Sequence, residues 1–215
     1  MACDQEVSRM RLDQTTSPHR THVTLAAIVA IVLAITAFAG SAQACSYSGA
    51  KQVFSRWGDQ RNYVLASDGG FEAGGVGWSL SGAKVVAGNE SYSLNGVGDS
   101  ESLLLPAASS VASPPICMAI DTPVFRLMAR NTGSPSSQLR IEAVYKLLGL
   151  VQTKVINNLT AGPNWAPTQP ISTVLGLSTI VGTLIPSAIQ IRITPLDATG
   201  NWQVDDLYID PFSRH

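Results

Sequence analysis

Three segments of the chain alternate apolar and polar residues strictly, and this pattern limits what they can become. In VFRLMAR (124–130), Phe125, Leu127 and Ala129 fall on one side, while Arg126, Met128 and Arg130 fall on the other. In LRIEAVYKL (139–147) the apolar set is Leu139, Ile141, Ala143, Tyr145 and Leu147, and in IQIRIT (189–194) it is Ile189, Ile191 and Ile193. A period of two describes strands with one face in a core and the other in water. Turn-rich clusters separate the runs: SDGG (67–70), NGVGDS (95–100), ASSVASPP (108–115), NTGSPSS (131–137) and TAGPN (160–164). Short strands at this spacing predict an all-β, two-sheet sandwich. One apolar stretch, VLGLSTIVGTLIPSA (174–188), fits either a short helix or an ordered crossover loop.

The first 44 residues read differently. A polar segment carrying Arg9, Arg11 and Arg20 precedes the uncharged run 23–40, and Ala42-Gln43-Ala44 follows. A basic region, an apolar core and a small-x-small site make a secretory signal, here cleaved before Cys45. Translation starts at Met1 or at Met10. The rival reading is an uncleaved anchor, since the apolar run is just long enough to span a bilayer. Cleavage leaves an irregular arm at 45–62, with Phe54 and Trp57 as anchoring side chains, and a sandwich domain at 63–215. The expected location is extracellular or in the cell envelope, as a monomer with no membrane contact after cleavage.

Charge and cysteines narrow the function. Lys and Arg total 14 against 15 Asp and Glu, with no basic stripe, so nucleic acid is not an expected partner. Cys45 and Cys117 remain in the exported chain. Two cysteines in an oxidising compartment favour one disulfide, which would tie the new N-terminus to the fold. The competing reading lipidates Cys45, although Ala42 stands where a lipidation signal prefers a bulky aliphatic residue.

The closing run WQVDDLYID poses a problem. Simple alternation puts Trp202, Val204, Asp206 and Tyr208 on one face and Gln203, Asp205, Leu207 and Ile209 on the other. Each face then carries a carboxylate among apolar neighbours, which is costly without a partner. Neighbours on a strand point apart, so the two acids do not form a catalytic dyad.

The segment Asp68-Gly69-Gly70-Phe71-Glu72, then Gly77-Trp78, then Val204-Asp205-Asp206-Leu207 resembles the jelly-roll carbohydrate-binding modules that carry a structural calcium. The resemblance implies a jelly-roll β-sandwich and a Ca2+ site. Its metal residues are Glu72 and Asp205, with Asp68 and carbonyls near Asn89–Glu90 supplying further oxygens. Asp205 is then expected to turn towards Glu72 and the cation, and Asp206 towards backbone N–H groups. Read without the family, Asp68 caps a turn and Asp206 accepts backbone hydrogen bonds, with no metal. The layout of Cys45, Trp57-Gly58-Asp59, Asp68–Glu72 and Trp202–Asp206 is also similar to a group of secreted actinobacterial proteins, which implies fold and export alone.

Catalysis is tested by subtraction. His215 is the only histidine after residue 44, which removes Ser-His-Asp, Cys-His and histidine-zinc chemistry. A carboxylate pair, Glu101 with Glu142, is left for glycoside chemistry, but both read as solvated charges on exposed strand faces. The expectation is therefore a non-catalytic module binding extracellular or cell-surface carbohydrate, with Trp165 and Tyr92 as the candidate exposed rings. The alternative is a structural or interaction protein of the cell envelope with no small ligand.

Overall fold

The alternating runs become the longest strands. The computed structural model describes residues 45–117, 124–173 and 188–211, so residues 1–44, expected as a secretory signal, and all but the last residue of the ambiguous stretch 174–188 lie outside the described residues. In chain order the strands are β1 (Val64–Leu65), β2 (Ser79–Ser81), β3 (Lys84–Ala87), β4 (Glu101–Pro106), β5 (Ser110–Ala112), β6 (Ile116–Cys117) and β7 (Val124–Asn131). There follow β8 (Leu139–Leu147), β9 (Leu150–Leu159), β10 (Ala166–Pro167), β11 (Ile171–Ser172), β12 (Ala188–Pro195) and β13 (Asn201–Asp210). One sheet runs β10-β7-β13-β4-β3, with β1 on β13 and β11 on β7; the other runs β2-β5-β12-β8-β9, with β6 on β12. The result is a two-sheet jelly-roll β-sandwich.

Its core is the sum of the inward faces. Phe125, Leu127 and Ala129 from β7 meet Ile141 and Ala143 from β8 and Ile189, Ile191 and Ile193 from β12, all buried. Phe71 and Trp78, from the segment that leads into β2, close one end with their rings 4.9 Å apart.

Alternation fails in one place. Along β13, Asp205 stands opposite Met128 but Tyr208 stands opposite Arg126, so β13 advances three residues while β7 advances two. This is a β-bulge, and Asp206 sits in it at φ +51°. The extra residue reverses the parity of everything after it. Trp202, Val204, Leu207 and Ile209 therefore share the core, and Tyr208 turns to the outer face. The face assignment expected from period-two counting is corrected accordingly.

The outer face of β7 is not in water either. Arg126 and Met128 are buried at 4% and 0% exposure. The N-terminal arm lies over them, and its Phe54, with Tyr63 just beyond its end, joins a second apolar cluster with Met128, Trp165 and Tyr208. A 3-10 turn, Ser55–Trp57, ended by Gly58 at φ +81°, aims Phe54 down at the sheet. Its ring meets Tyr63 and Tyr208 edge-on at 5.0 and 5.8 Å. The arm is fastened at both ends. A Cys45–Cys117 disulfide holds the start, and backbone bonds between Lys51 and Tyr63 hold the finish. Of the three alternating strands, β8 and β12 pair with each other, and β7 belongs to the other sheet.

Candidate functional site

Two features outside the core concentrate polar chemistry, and both are built around β13 and β7.

The first is acidic. The Asp68–Glu72 segment makes a tight turn against the bulge: Ala66 N–H donates to Leu207 O at 2.8 Å, and Leu207 N–H donates to Gly69 O at 3.0 Å. A side chain on Gly69 would put its Cβ 2.7 Å from Leu207 O, so glycine is required there. Gly70 faces the acids themselves: a Cβ would stand 2.9 Å from Asn95 Nδ2 and 3.3 Å from both Asp206 Oδ1 and Asp99 Oδ1.

Around this turn the carboxylates divide into bonded and unbonded. Asp68 accepts Ala73 and Val76 N–H at 2.9 and 2.7 Å, capping its own loop. Glu72 accepts Ser100 N–H, Ser100 O–H and Glu101 N–H at 2.8, 3.0 and 2.7 Å. Asp205 accepts N–H from Glu90 at 3.2 Å and from Asp206 at 2.8 Å. Among the described residues, Asp206, fully buried, has no hydrogen-bond partner for either carboxylate oxygen, and Asp99 has none for Oδ2. One oxygen each from Glu90, Asp99 and Asp206 lies within 4.8 Å of the others. The roles expected of the paired aspartates are thus exchanged, because the bulge swings Asp206 towards the turn and leaves Asp205 to the backbone.

Burial drives the electrostatics. It pushes the Asp206 carboxyl up to about 8, helped by Asp99, Glu90 and Glu72. It pushes Asp205 up to about 9, helped by Asp206, and Asp99 up to about 6. Three converging oxygens, one from each side chain, are hard donors suited to a cation such as Ca2+, and Asp206 brings one that accepts from no donor among the described residues. Glu72 and Asp68, expected as ligands, accept backbone N–H groups, as Glu90 does, but lie outside the set of three that converges. Glu90 and Asp99 were not singled out as carboxylate ligands because both sit in loops, where no periodicity assigns a direction. The weak signal was their place in turn clusters (GNES, GVGDS) that the topology folds against β13.

The second feature is a groove of about 880 Å³ on the outer face of the β7 sheet, lined by Trp57, Asp59, Gln60, Arg61, Arg126 and Gln169, with Pro167 and Pro170 at its edge. The arm supplies one wall and the β10 segment the other. At its base Arg126 Nη1 lies 2.9 Å from Asp59 Oδ2, and Arg126 Nε–H donates to Thr168 O at 2.8 Å. Tyr63 O–H and Arg61 N–H also donate to Asp59, at 2.8 and 3.1 Å. Burial raises the Asp59 carboxyl, but these donors outweigh it and hold the group below its ordinary value.

The aromatic expectations separate here. Tyr92 is exposed, at 40%, and meets Trp57 edge-on at 5.0 Å. Trp165 is buried at 5%, because the Arg130 guanidinium covers its ring at 4.8 Å and the second cluster packs below it. Its expected exposure is therefore corrected. Trp57, expected only as an anchor, is half-buried and forms part of the groove wall. Glu101 and Glu142 fall in different sheets, and Glu142 lies 3.7 Å from Arg192.

The two features are joined. Glu90 accepts N–H from Tyr92 at 2.5 Å and from Leu94 at 2.6 Å, so the loop that faces the acidic cluster also sets the ring beside Trp57.

Neither a family model nor a curated protein matches the chain. Among solved structures it is similar to the C-terminal family 22 carbohydrate-binding module of Clostridium thermocellum Xyn10B, at 18% identity and TM-score 0.43, over 66% of this chain and 90% of that one. The CBM22-1 xylan-binding domain of Paenibacillus barcinonensis Xyn10C matches at 16% identity and TM-score 0.46, over 68% and 96%. TmCBM61, solved with beta-1,4-galactotriose, matches at 17% identity and TM-score 0.43, over 70% and 98%.

Proposed function

We propose that the chain is an exported, non-catalytic module that binds extracellular or cell-surface carbohydrate in the groove between the arm and β10. The observation that carries this is the wall itself. Trp57 offers an aromatic surface beside Gln60, Gln169, Asp59 and Arg61, the planar donors and acceptors that fix sugar hydroxyls. The acidic cluster supports the wall rather than the ligand. Glu90, Asp99 and Asp206 would hold a structural Ca2+, which would neutralise their charges and pin the Tyr92 loop to β13.

Binding to a panel of immobilised plant, bacterial and host glycans tests this reading. Wild type binds a defined subset, and Trp57→Ala weakens that binding roughly tenfold or more, equivalent to about 1.4 kcal/mol. A protein that ignores every glycan on the panel overturns it. The alternative of an envelope interaction protein with no small ligand gains support from one place, the exposed end of β8–β9.

A further inference from the structure

We propose that the glycan taken by the groove is acidic, and that Arg61 reads a carboxylate on its sugars; this rests on the groove reading above. Asp59 has little left to offer Arg61. Its Oδ2 already accepts Tyr63 O–H at 2.8 Å and Arg126 Nη1–H at 2.9 Å, and Arg61 Nη1 reaches the same oxygen only at 3.4 Å. A carboxylate oxygen has two good acceptor positions, so the two shorter donors fill it. Arg61 is therefore the surplus cation. Its side chain is 43% exposed and lines the groove, whereas Arg126 is buried at 4% and occupied by Asp59 and Thr168 O.

The surroundings keep the local charge positive. Arg56 lies over the Trp57 and Tyr92 rings, 5.4 and 5.3 Å from their centroids. Asp210, buried at the end of β13, acts on Arg61 along with Tyr63 and Asp59. Three guanidinium groups (Arg56, Arg61, Arg126) thus meet two carboxylates (Asp59, Asp210) at this wall, in a chain whose net charge is −1. The facing wall is neutral: residues 160–170 contain no Asp, Glu, Lys or Arg. The acids Glu90, Asp99 and Asp206 converge on one another, and none of them lines the groove. An exposed guanidinium beside the amides of Gln60 and Gln169 is a planar fork that matches a carboxylate bidentately. A sugar stacked on Trp57 holds its exocyclic groups at the ring edge, in reach of the polar rim to which Arg61 belongs. A uronic acid carries its carboxylate there, where a neutral hexose carries a hydroxymethyl group that calls for no cation.

Affinity electrophoresis tests this with polygalacturonate, alginate and hyaluronan, each beside its carboxyl-reduced form, and with neutral xylan, neutral galactan and dextran sulfate. At least one uronate polymer is expected to retard wild type while its carboxyl-reduced form does not, and added salt should weaken the retention. Arg61→Gln should bind that polymer roughly tenfold or more weakly, since a charge-assisted pair is lost. Arg61→Lys should recover only part of the loss, because an ammonium lacks the planar fork. Both variants should melt close to wild type, since an exposed pair at 3.4 Å adds little stability. Preference for a neutral polysaccharide, with Arg61→Gln unchanged, would overturn the inference and leave the groove reading standing. Retention by dextran sulfate alone, or Arg61→Lys equal to wild type, would also overturn it, by reducing it to a general attraction between charges. A protein retarded by no polymer at all would remove both.

Discussion

Asp59 and Arg126 meet at 2.9 Å across the seam between the arm and the sheet, with side-chain exposures of only 9% and 4%. Breaking a buried pair by removing one member leaves an uncompensated charge, a loss of about 3–5 kcal/mol. We expect Asp59→Ala to lower stability by about that amount in chemical denaturation, and Asp59→Asn, which keeps an acceptor, to lower it less. Equal losses would show that packing, not charge, sets the arm in place.

Calcium should matter to the fold through Asp206. A ligand that binds only the folded state at 100 times its Kd adds roughly 2.7 kcal/mol, or about 5–10 °C for a domain of this size. Wild type should melt that much higher in calcium than in chelator. Asp206→Asn should melt at one temperature in both, and in chelator no lower than wild type, because it removes an unpartnered buried carboxylate. A wild-type melting temperature indifferent to chelator would remove the cation from the account.

The pH dependence in chelator has a definite sign. Asp205, Asp206 and Asp99 have folded values of about 9, 8 and 6, above the ordinary carboxylate value. Between about pH 4 and pH 8 the folded chain therefore holds more protons than the unfolded one, and stability falls as pH rises. Melting temperatures in chelator should decline from pH 5 to pH 8, and Asp206→Asn should flatten the slope. Saturating calcium should oppose the decline, because the cation competes with those protons.

Groove and cluster share a loop, so their occupants should be coupled. Glu90 orders Tyr92 by accepting its N–H, and Tyr92 packs on Trp57. Chelator should therefore weaken binding to any glycan recognised on the panel, though no groove residue touches the cation. Titration calorimetry with and without calcium measures this directly, and equal affinities would separate the two features.

The disulfide closes a separation of 72 residues. In the chain-entropy model such a loop is worth roughly 4 kcal/mol. Replacing both Cys45 and Cys117 with Ser should lower stability by up to that amount, read from denaturant midpoints.

What was legible in the sequence followed from local rules. The faces of Ile141 and Ile191 could be counted because nothing interrupts period two before them on their strands. The face of Tyr208 could not, because the bulge that reverses it depends on how β13 meets both β7 and the Asp68–Glu72 turn. Trp165 was misjudged for a related reason, whereas Trp57 packs on the second cluster as an anchor should. Exposure belongs to whatever covers a residue, and the arm and Arg130 arrive from distant parts of the chain. The acids behaved likewise: Asp206 was visible as a burial problem, but Glu90 and Asp99 become its neighbours only once two loops fold over β13.

The extra residue in β13 also sets what length changes this strand tolerates. Deleting one aspartate would restore simple pairing with β7 and still leave Leu207 and Ile209 in the core and Tyr208 outside it, because the bulged residue is the one that interrupts alternation. What the deletion would remove is the carboxylate that faces Glu90 and Asp99. The second residue of the doublet is thus dispensable to the inward pattern and required by the acidic cluster.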